Sequence, residues 1–490
     1  MYSLKNYFLF SFLLSFNFLA AQNYQAINGS PYAGSLAPGS NPAFIINVPY
    51  AWDVTPLAVQ VKQTTNAFTI ENYSFLSSPK NAVMIAQSGI KKRWVFANQD
   101  VRLLNTRINI NEKSAIAFGA NIRNYVYANT SENNWQDTTL GLTDFMNINV
   151  NNVPLSGQSI NSTWSELYAS FAHTIIDDGK TVLNAGITLK YNRALAFGYA
   201  NAQDLSYTPD VTTNVPGYLL TAGSLQYNYS SNFDNIDSNG SGNSNFKNFY
   251  RSTLSGVSAD LGLELILVSN DNEGEESNYA YQTKIGVSIM DIGRNKYIQG
   301  MYSSYATAGL PGVTNVVLEN KFAQIGSLAE FTDSVKTISQ TFSQLSGNFN
   351  VYQPCRLMIN VDQHLANDFF INAEITIPLL SIVPKKLIYV RDMNLLAITP
   401  RWETKSFGGY LPLTVNTKGQ VWIGGAIKAG PLLLGTHNLG TLFSKNKTQT
   451  GGFYLAFTIR PAKKSEDQQS GYRTDKLTRK ERRNLDCPKL

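Results

Sequence analysis

Six charged side chains are the residues whose chemistry is easiest to place from the sequence. Each lies at a polar position of a segment in which polar and apolar residues alternate: Arg123, Lys190, Asp260, Glu264, Lys284 and Glu374. Alternate residues of a strand point to opposite faces, so these six are predicted on the polar face of a sheet. Because both signs occur, two roles are open: ion pairs that close the space along this face, or a weakly selective path for ions.

The sequence contains no recognisable catalytic or metal-binding pattern. The histidines His173, His364 and His437 have no second His or Cys at metal-ligand spacing, and no Gly-x-Ser-x-Gly nucleophile elbow occurs. Residues 235–240 resemble the beginning of a calcium loop, but Phe246 occupies the position where a bidentate Glu is needed. We therefore expect neither an enzyme nor a bound cofactor or metal ion.

The segments that carry the six charges are long. Residues 257–265 read Val-Ser-Ala-Asp-Leu-Gly-Leu-Glu-Leu, and residues 183–191, 281–289 and 369–377 alternate in the same way. Such lengths approach the ~9–11 residues of a tilted strand that crosses a bilayer, whereas soluble sandwich strands usually have ~5–6. The pattern favours an all-β fold, a transmembrane antiparallel β-barrel of about 14 strands with the charges facing its lumen, over a soluble sandwich. Small residues on the polar face, Gly119, Gly186, Gly262 and Gly286, would leave room in that lumen.

The connections between these segments are of two kinds. Residues 177–180 and 364–368 read as tight turns, while 128–162, 198–254 and 303–352 are long and rich in Asn, Ser, Thr and Gly. Outer-membrane barrels have short periplasmic turns and long external loops.

Two short helices are also predicted. One begins with Ser78 as cap and Pro79 at the first helical position and ends near Ser88. The other covers 331–345, where apolar residues recur at helical spacing, either as a loop helix on the barrel rim or as a gate element.

The beginning of the chain is typical of an exported protein. Met1 to Ala21 resembles a cleavable signal peptide, with Lys5 before an apolar core over 7–16. An N-terminal anchor is the alternative, although the run is short for the ~20 residues of a span. We expect the mature chain to lie in the lipid of the cell outer membrane.

Composition supports a barrel and isolates a basic tail. Charged residues make up 15% and aromatic residues 12% of the 490 residues, and the net charge is +6. Residues 461–490 hold nine Lys or Arg and five Asp or Glu, hence +4, so the rest of the chain has no basic surface for nucleic acid. The tail is either a solvated segment or a site for a periplasmic or secretion-system protein. The basic residues that would bind such a partner are Arg473, Lys476, Arg479, Lys480, Arg482 and Arg483.

Two cysteines, Cys355 and Cys487, either pair or stay free.

A short motif near the mature N-terminus carries a family resemblance. Asn41-Pro42-Ala43 resembles the signature of FadL-like barrels, a superfamily that includes long-chain fatty-acid transporters and the PorV-like partners of the type 9 secretion system. The resemblance implies that these three residues lie in a hatch inside a 14-stranded barrel. The segments 399–403, 411–413 and 428–439 look like those of an uncharacterised family of outer-membrane barrels from gliding, type-9-secreting bacteria.

These observations divide the chain into a signal peptide (1–21), a hatch or plug segment (22–50), a barrel (51–460) and a basic periplasmic tail (461–490). The leading hypothesis is a non-enzymatic structural or interaction component of a cell-surface or type 9 secretion and gliding assembly. The alternative is hatch-gated uptake of hydrophobic small molecules, in which case a hydrophobic ligand is the partner.

Overall fold

The computed structural model describes residues 24–74, 77, 79–136, 141–211, 217–237, 240–268, 281–379, 387–443, 445 and 447–461. The expected signal peptide, the six tail residues and Cys487 lie outside these ranges. The strands are β1 (Trp52–Thr65), β2 (Phe68–Glu71), β3 (Val83–Ala86), β4 (Gly89–Asn111), β5 (Ser114–Trp135), β6 (Leu155–Asp177), β7 (Thr181–Pro209), β8 (Tyr218–Tyr229), β9 (Ser255–Leu267), β10 (Thr283–Ile298), β11 (Ser304–Ala308), β12 (Val313–Thr314), β13 (Thr341–Gln344), β14 (Asn348–Tyr352), β15 (Arg356–Ala366), β16 (Phe369–Pro378), β17 (Leu395–Glu403), β18 (Phe407–Tyr410), β19 (Leu413–Asn416), β20 (Val421–Ile423), β21 (Gly425–Ala429), β22 (Leu432–Thr436), β23 (Thr450–Gly451) and β24 (Phe453–Ile459).

Helices occupy only connections and the N-terminal segment. The α-helices are α1 (Leu142–Asn149), α2 (Gly242–Arg251), α3 (Asn315–Phe322), α4 (Leu328–Ile338) and α5 (Gly440–Phe443). Short 3-10 helices cover Gly34–Gly39, Pro42–Ile45, Pro79–Asn81, Val150–Asn152 and Ser231–Asn235. Within the described ranges, none of the helices is long and apolar enough to cross a membrane.

The strands close into a 14-stranded antiparallel barrel, as the alternation predicted. The first strand pairs with the second wall strand and also with the last, since Val59 lies opposite both Val101 and Leu455. Four wall strands are each built from two segments: β14 with β15, β18 with β19, β20 with β21, and β23 with β24. The first break contains Pro354, which lacks the N–H that a ladder needs.

The two faces of the wall have opposite chemistry. On β9, Leu261 and Leu263 are 46% and 49% exposed, whereas Asp260 and Glu264 are fully buried. The other wall strands repeat this arrangement, so the outer face is an apolar belt and the polar face lines the lumen. An apolar belt around a closed barrel is stable only in lipid. The protein is therefore an outer-membrane β-barrel, as expected.

The connections give the barrel its orientation. Turns of two or three residues join neighbouring strands at one end, at 112–113, 178–180, 367–368 and 404–406. At the other end, β8, β11, β12 and β13 extend β7 into a side sheet, on which α4 packs through Val335 and Phe331. The short turns place the first end in the periplasm and the side sheet outside the cell.

Both predicted helices need correction. Residues 79–88 hold only one 3-10 turn, and 83–86 form β3, which pairs with β2. The second helix ends at Ile338, and 341–344 form β13. Phe342 still packs beside Val335 in one apolar cluster, so the spacing identified the buried side chains but not the chain reversal between them.

Substitution of an outward residue should reveal the lipid contact. Leu263→Arg places a charge in the apolar belt and should lower the free energy of unfolding by ~2–4 kcal/mol. Val211→Arg, at a position that is 91% exposed in the external loop after β7, is the matched control and should have little effect. Urea titration of the vesicle-folded variants measures both, and equal midpoints would contradict the assignment of the belt.

Candidate functional site

The N-terminal segment fills the periplasmic half of the lumen. Residues 24–50, which we call the plug, are all buried except 39, 47 and 49, which are half-buried. Many of the plug residues are polar, including Gln25, Asn28 and Ser35. Buried polar groups need hydrogen-bond partners, and the lumen wall supplies most of them.

Asn41 both shapes the plug and attaches it to the wall. Its Oδ1 accepts from the N–H of Ala43 at 2.9 Å and so caps the 3-10 turn that begins at Pro42. Its Nδ2 donates to the carbonyl of Leu263 on β9 at 2.9 Å. The Asn-Pro-Ala segment is thus a turn whose capping residue also donates a hydrogen bond to the backbone of a wall strand.

Three of the predicted lumen glycines form a notch for this turn. They lie on adjacent strands, with Gly186 of β7 opposite Gly262 of β9 and Gly286 one strand further on β10. A Cβ would collide with the Pro42 and Ala43 backbone at the first position, with Asn41 at the second and with the ring of Phe44 at the third. Gly119 has a different role, since a Cβ there would meet a neighbouring wall residue, Asn105, and not the plug.

Wall cations bind carbonyl oxygens of the plug. Lys284 donates to Gly29 at 2.6 Å, and Arg102 donates to Leu36 at 2.8 Å. Arg107 donates twice, to Ile45 and Tyr50, each at 2.6 Å. The plug backbone therefore supplies acceptors to charged groups that are buried in the lumen.

Wall carboxylates bind plug donors in the same way. Ser30 donates its hydroxyl to Glu403 at 2.6 Å, Asn28 donates to Glu374, and the N–H of Ser35 donates to Asp53. Burial raises the pKa of the plug phenol Tyr24 well above its ordinary value, so this ring stays neutral where it stacks with Arg102.

Two ion networks line the lumen, and the first lies above the plug. We call it the central network: Arg123, Glu166, Lys190, Asp260, Asp291 and Arg356. Asp291 is its centre, because it binds Arg123 through two oxygens at 2.5 and 2.7 Å, Lys190 at 2.7 Å, and also Arg356. Three cations face three carboxylates, so the network is neutral as a unit.

The second network lies beside the plug at the periplasmic end. We call it the periplasmic network: Glu264, Lys284, Asp362, Arg401, Glu403 and Lys428. Arg401 binds Asp362 through two oxygens at 2.5 and 2.8 Å and Glu403 at 3.1 Å, and Lys428 binds Glu403 at 3.0 Å. It too contains three charges of each sign.

Aromatic side chains line the lumen on the extracellular side of the central network. This aromatic chamber contains Tyr125, Tyr127, Trp164, Phe197, Tyr297 and Phe349. Tyr125 stacks on Trp164 with ring centres 5.5 Å apart, and Phe197 lies 5.1 Å from Tyr297. A polar lumen would be expected in a water-filled porin, so this part of the interior has a different chemistry.

An external connection closes the chamber from above. Residues 387–394, the inner loop, fold inward so that Val390 packs in the chamber and Met393 is buried. Arg391 lies over the Tyr127 and Tyr389 rings at 5.0 and 4.9 Å.

A void beside the inner loop has a volume of about 10 Å³, and one between Pro38 and the central network about 20 Å³, so each holds one water at most.

All six charges predicted from alternation are buried in the lumen. Arg123, Lys190 and Asp260 belong to the central network, Glu264 and Lys284 to the periplasmic one, and Glu374 binds the plug. Of the network residues, the sequence analysis missed Glu166, Asp291, Arg356, Asp362, Arg401, Glu403 and Lys428. It also missed three wall residues that bind the plug, Asp53, Arg102 and Arg107. Most lie at inward positions of alternating strands and could have been found by the same rule.

Asp291 could not have been found by alternation. Met290 and Asp291 both face inward, because β10 bulges there and its register with β9 shifts between Ile289 and Ile292. Asp291 has a φ of +61°, a left-handed conformation that Asp tolerates better than most residues.

The histidines lie apart from each other. Nε2 of His437 lies 2.8 Å from the Gln60 amide nitrogen, His173 is bonded to Ser114, and His364 to the carbonyl of Asn367. Within the described ranges, no group of three His, Cys, Asp or Glu side chains is arranged to hold a metal ion.

Comparison with known proteins identifies the family. Residues 42–437 match the family of unknown function DUF5723. The chain belongs to this family. A search of curated proteins finds no match.

Solved structures similar to this DUF5723 member are outer-membrane barrels. A Pseudomonas aeruginosa FadL homologue is 10% identical, with 89% of this chain and 95% of that chain covered and a TM-score of 0.40. The Ralstonia pickettii toluene transporter TbuX is 11% identical, with 88% and 94% covered and a TM-score of 0.38. The P. putida toluene transporter TodX is 10% identical, with 88% and 95% covered and a TM-score of 0.40.

Removal of the central carboxylate should destabilise the barrel. Asp291→Asn leaves one buried cation uncompensated and should cost about 3–5 kcal/mol of unfolding free energy. The matched control is Asp333→Asn on the exposed surface of α4. Urea unfolding followed by tryptophan fluorescence gives both values, and equal destabilisation by the two variants would rule out the central role of Asp291.

Filling the glycine notch should loosen the plug. Gly262→Val forces Asn41 and Pro42 away from the wall, at about the 1–3 kcal/mol cost of overpacking. A thiol reporter, Ser35→Cys, placed in a chain with Cys355→Ser and Cys487→Ser, should then react faster with a maleimide. Gly198→Val is the control, because a Cβ there meets nothing within 4 Å. The same labelling rate in both valine variants would disprove the docking role.

Proposed function

We propose that this barrel takes up hydrophobic small molecules across the outer membrane and that the plug is its gate. The observation that carries the proposal is the aromatic chamber, which lies in the lumen between the inner loop and the central network. Ligand sites are predominantly lined by apolar and aromatic side chains with a few polar groups. In the chamber, Phe197, Tyr297 and Phe349 provide the apolar surface, and the hydroxyls of Ser162 and Tyr297 meet at 3.0 Å.

Any passage through this barrel requires movement of the plug. The voids above the plug have volumes of only about 10 and 20 Å³, which is too small for an organic molecule. The plug forms no strand pairing with the wall among the described residues and is held by packing and by separate hydrogen bonds. Most of these bonds join the plug to a charged wall group and contribute about 1.5–3 kcal/mol each, so a part of the plug that makes few of them can detach without unfolding of the wall.

Both sides of the chamber have a closing element. The inner loop covers it on the outside through Val390 and Arg391, and the central network with Pro38 and Gly39 closes it on the periplasmic side. The aromatic side chains are packed against each other between these two elements, so movement of either element would offer an apolar molecule a surface to bind before its release inward.

The assembly role remains a separate hypothesis. It rests on the basic residues of the tail, which lie outside the described residues, and no contact in the described barrel supports it over uptake. Its test is co-purification of a periplasmic partner with the full chain and with a chain that ends at Pro461.

Covalent attachment of the plug to the wall should stop uptake. The hydroxyl oxygens of Ser35 and Thr55 on β1 lie 2.8 Å apart, which suits a disulfide. Ser35→Cys/Thr55→Cys, in a chain with Cys355→Ser and Cys487→Ser, should admit N-phenyl-1-naphthylamine into whole cells only after reduction with dithiothreitol. The fluorescence of this apolar probe rises when it enters the cell envelope, so the rate of increase measures entry.

Each single-cysteine variant controls for the substitutions, and both should take up the probe with or without reductant. Equal uptake by the oxidised and reduced double variant would contradict a gating role of the plug. Uptake no faster than in cells without the protein would contradict transport itself.

A further inference from the structure

A second candidate binding site lies on the outside of the barrel, away from the lumen. A groove with a volume of about 700 Å³ crosses the lipid-facing surface of β9, β10 and β14. We call it the outer groove, and its lining is Ser255, Gly256, Val257, Ile292, Gly293, Arg294, Lys296, Asn350, Tyr352 and Cys355. It is much larger than the voids of the lumen and belongs to none of the contacts described above.

The groove lies at the extracellular boundary of the apolar belt. Along β10 the outward positions from the periplasmic end are Ile285, Val287, Ile289 and Ile292, followed by Arg294 and Lys296. In the adjacent strands, Val257 and Tyr352 lie opposite Arg294, and Asn350 lies opposite Lys296. Ile292 thus lies in the lower part of the groove, Val257 and Tyr352 lie beside Arg294, and Lys296 and Asn350 form the upper part.

The two cations of the groove differ from those of the lumen. Every cation of the two lumen networks pairs with a carboxylate, whereas Arg294 and Lys296 are exposed and pair with no carboxylate among the described residues. Arg294 and Lys296 stand on one face of one strand, two residues apart, so their charges add. Two such cations at a lipid boundary attract an anionic headgroup.

Two glycines contribute backbone to the lining of the groove. Gly256 and Gly293 line it without side chains, and a Cβ at either would collide with the neighbouring strand, at the carbonyl of Arg294 or at Ser258. Val257 stands at the edge with 72% of its surface exposed. The exposed Val257 and Ile292 side chains therefore offer an apolar surface beside and below Arg294.

We propose that the outer groove binds a phosphorylated glycolipid of the outer leaflet, with phosphate at Arg294 and Lys296 and an acyl chain along Val257 and Ile292. Charge complementarity favours a phosphate group, and the apolar surface of Val257 and Ile292 favours a lipid over a free anion. The proposal is independent of uptake through the lumen, since it concerns only the outer face of the wall.

The test is native mass spectrometry of the full chain in mild detergent with added lipid A, which carries two phosphates. Wild-type protein should retain lipid A. Arg294→Gln/Lys296→Gln should bind lipid A about tenfold more weakly, which corresponds to about 1.4 kcal/mol, and should lose at least about 90% of that retention. Lys92→Gln/Lys418→Gln, which removes two exposed cations elsewhere at the extracellular end, is the matched control and should retain lipid A. Equal retention by all three proteins would overturn the proposal.

A second measurement needs no charge substitution. Cys355 lines the groove and is half-buried, so in a Cys487→Ser chain bound lipid A should slow its reaction with a maleimide, and phosphatidylethanolamine should not. Equal protection by phosphatidylethanolamine or by lipid A without phosphates would overturn the role of charge. Displacement of lipid A by millimolar inorganic phosphate would show that the groove is a site for the free anion and would overturn the proposal of a lipid site.

Discussion

A charged group inside this barrel is shielded from bulk water, and the interior is arranged around that constraint. Transfer of an isolated charge from water into an apolar interior costs many kcal/mol, so such groups are paired or bind dipoles. Asp291 is fully buried and is neutralised by Arg123, Lys190 and Arg356. The wall can carry these charges only because neighbouring strands bring them together, and this pairing in turn closes the lumen.

The same constraint explains how the plug is held. Arg107 is fully buried, and its partners include two plug carbonyls as well as the carboxylate of Asp53 at 3.6 Å. Backbone carbonyls are present whatever the side chains are, so these contacts alone do not restrict the sequence of the plug. Asn28, Ser30 and Asn41 differ, because their contacts with the wall depend on one particular side chain. The wall glycines of the notch depend on the lack of a side chain.

The difference between contacts set by strand geometry and contacts set by particular side chains explains what the sequence could predict. The period of two identified the barrel, its lipid face and six lumen charges, since each follows from strand geometry alone. Asp291 lies in a bulge that breaks the period. Residues 83–86 follow the helix-start signal at Ser78 and Pro79, but they pair as a strand with β2. Residues 24–50 contain no long alternation, so only the resemblance of Asn-Pro-Ala to a known signature placed them inside the barrel.

For the proposed uptake, the wall cations limit how the plug can move. If the whole plug left, Arg102, Arg107 and Lys284 would lose carbonyl acceptors, and an apolar ligand brings none to replace them. An unpaired buried polar group costs about 1–3 kcal/mol, and a charged one costs more, so complete removal is far less favourable than a local shift. The turn at Pro38 and Gly39 adjoins the largest lumen void described above, and Arg102, whose guanidinium touches Gly39, already has Asp100 as a second partner at 2.9 Å. A shift there keeps the charges of the periplasmic network paired while it opens the floor of the chamber, so local displacement of the plug is the least costly route inward.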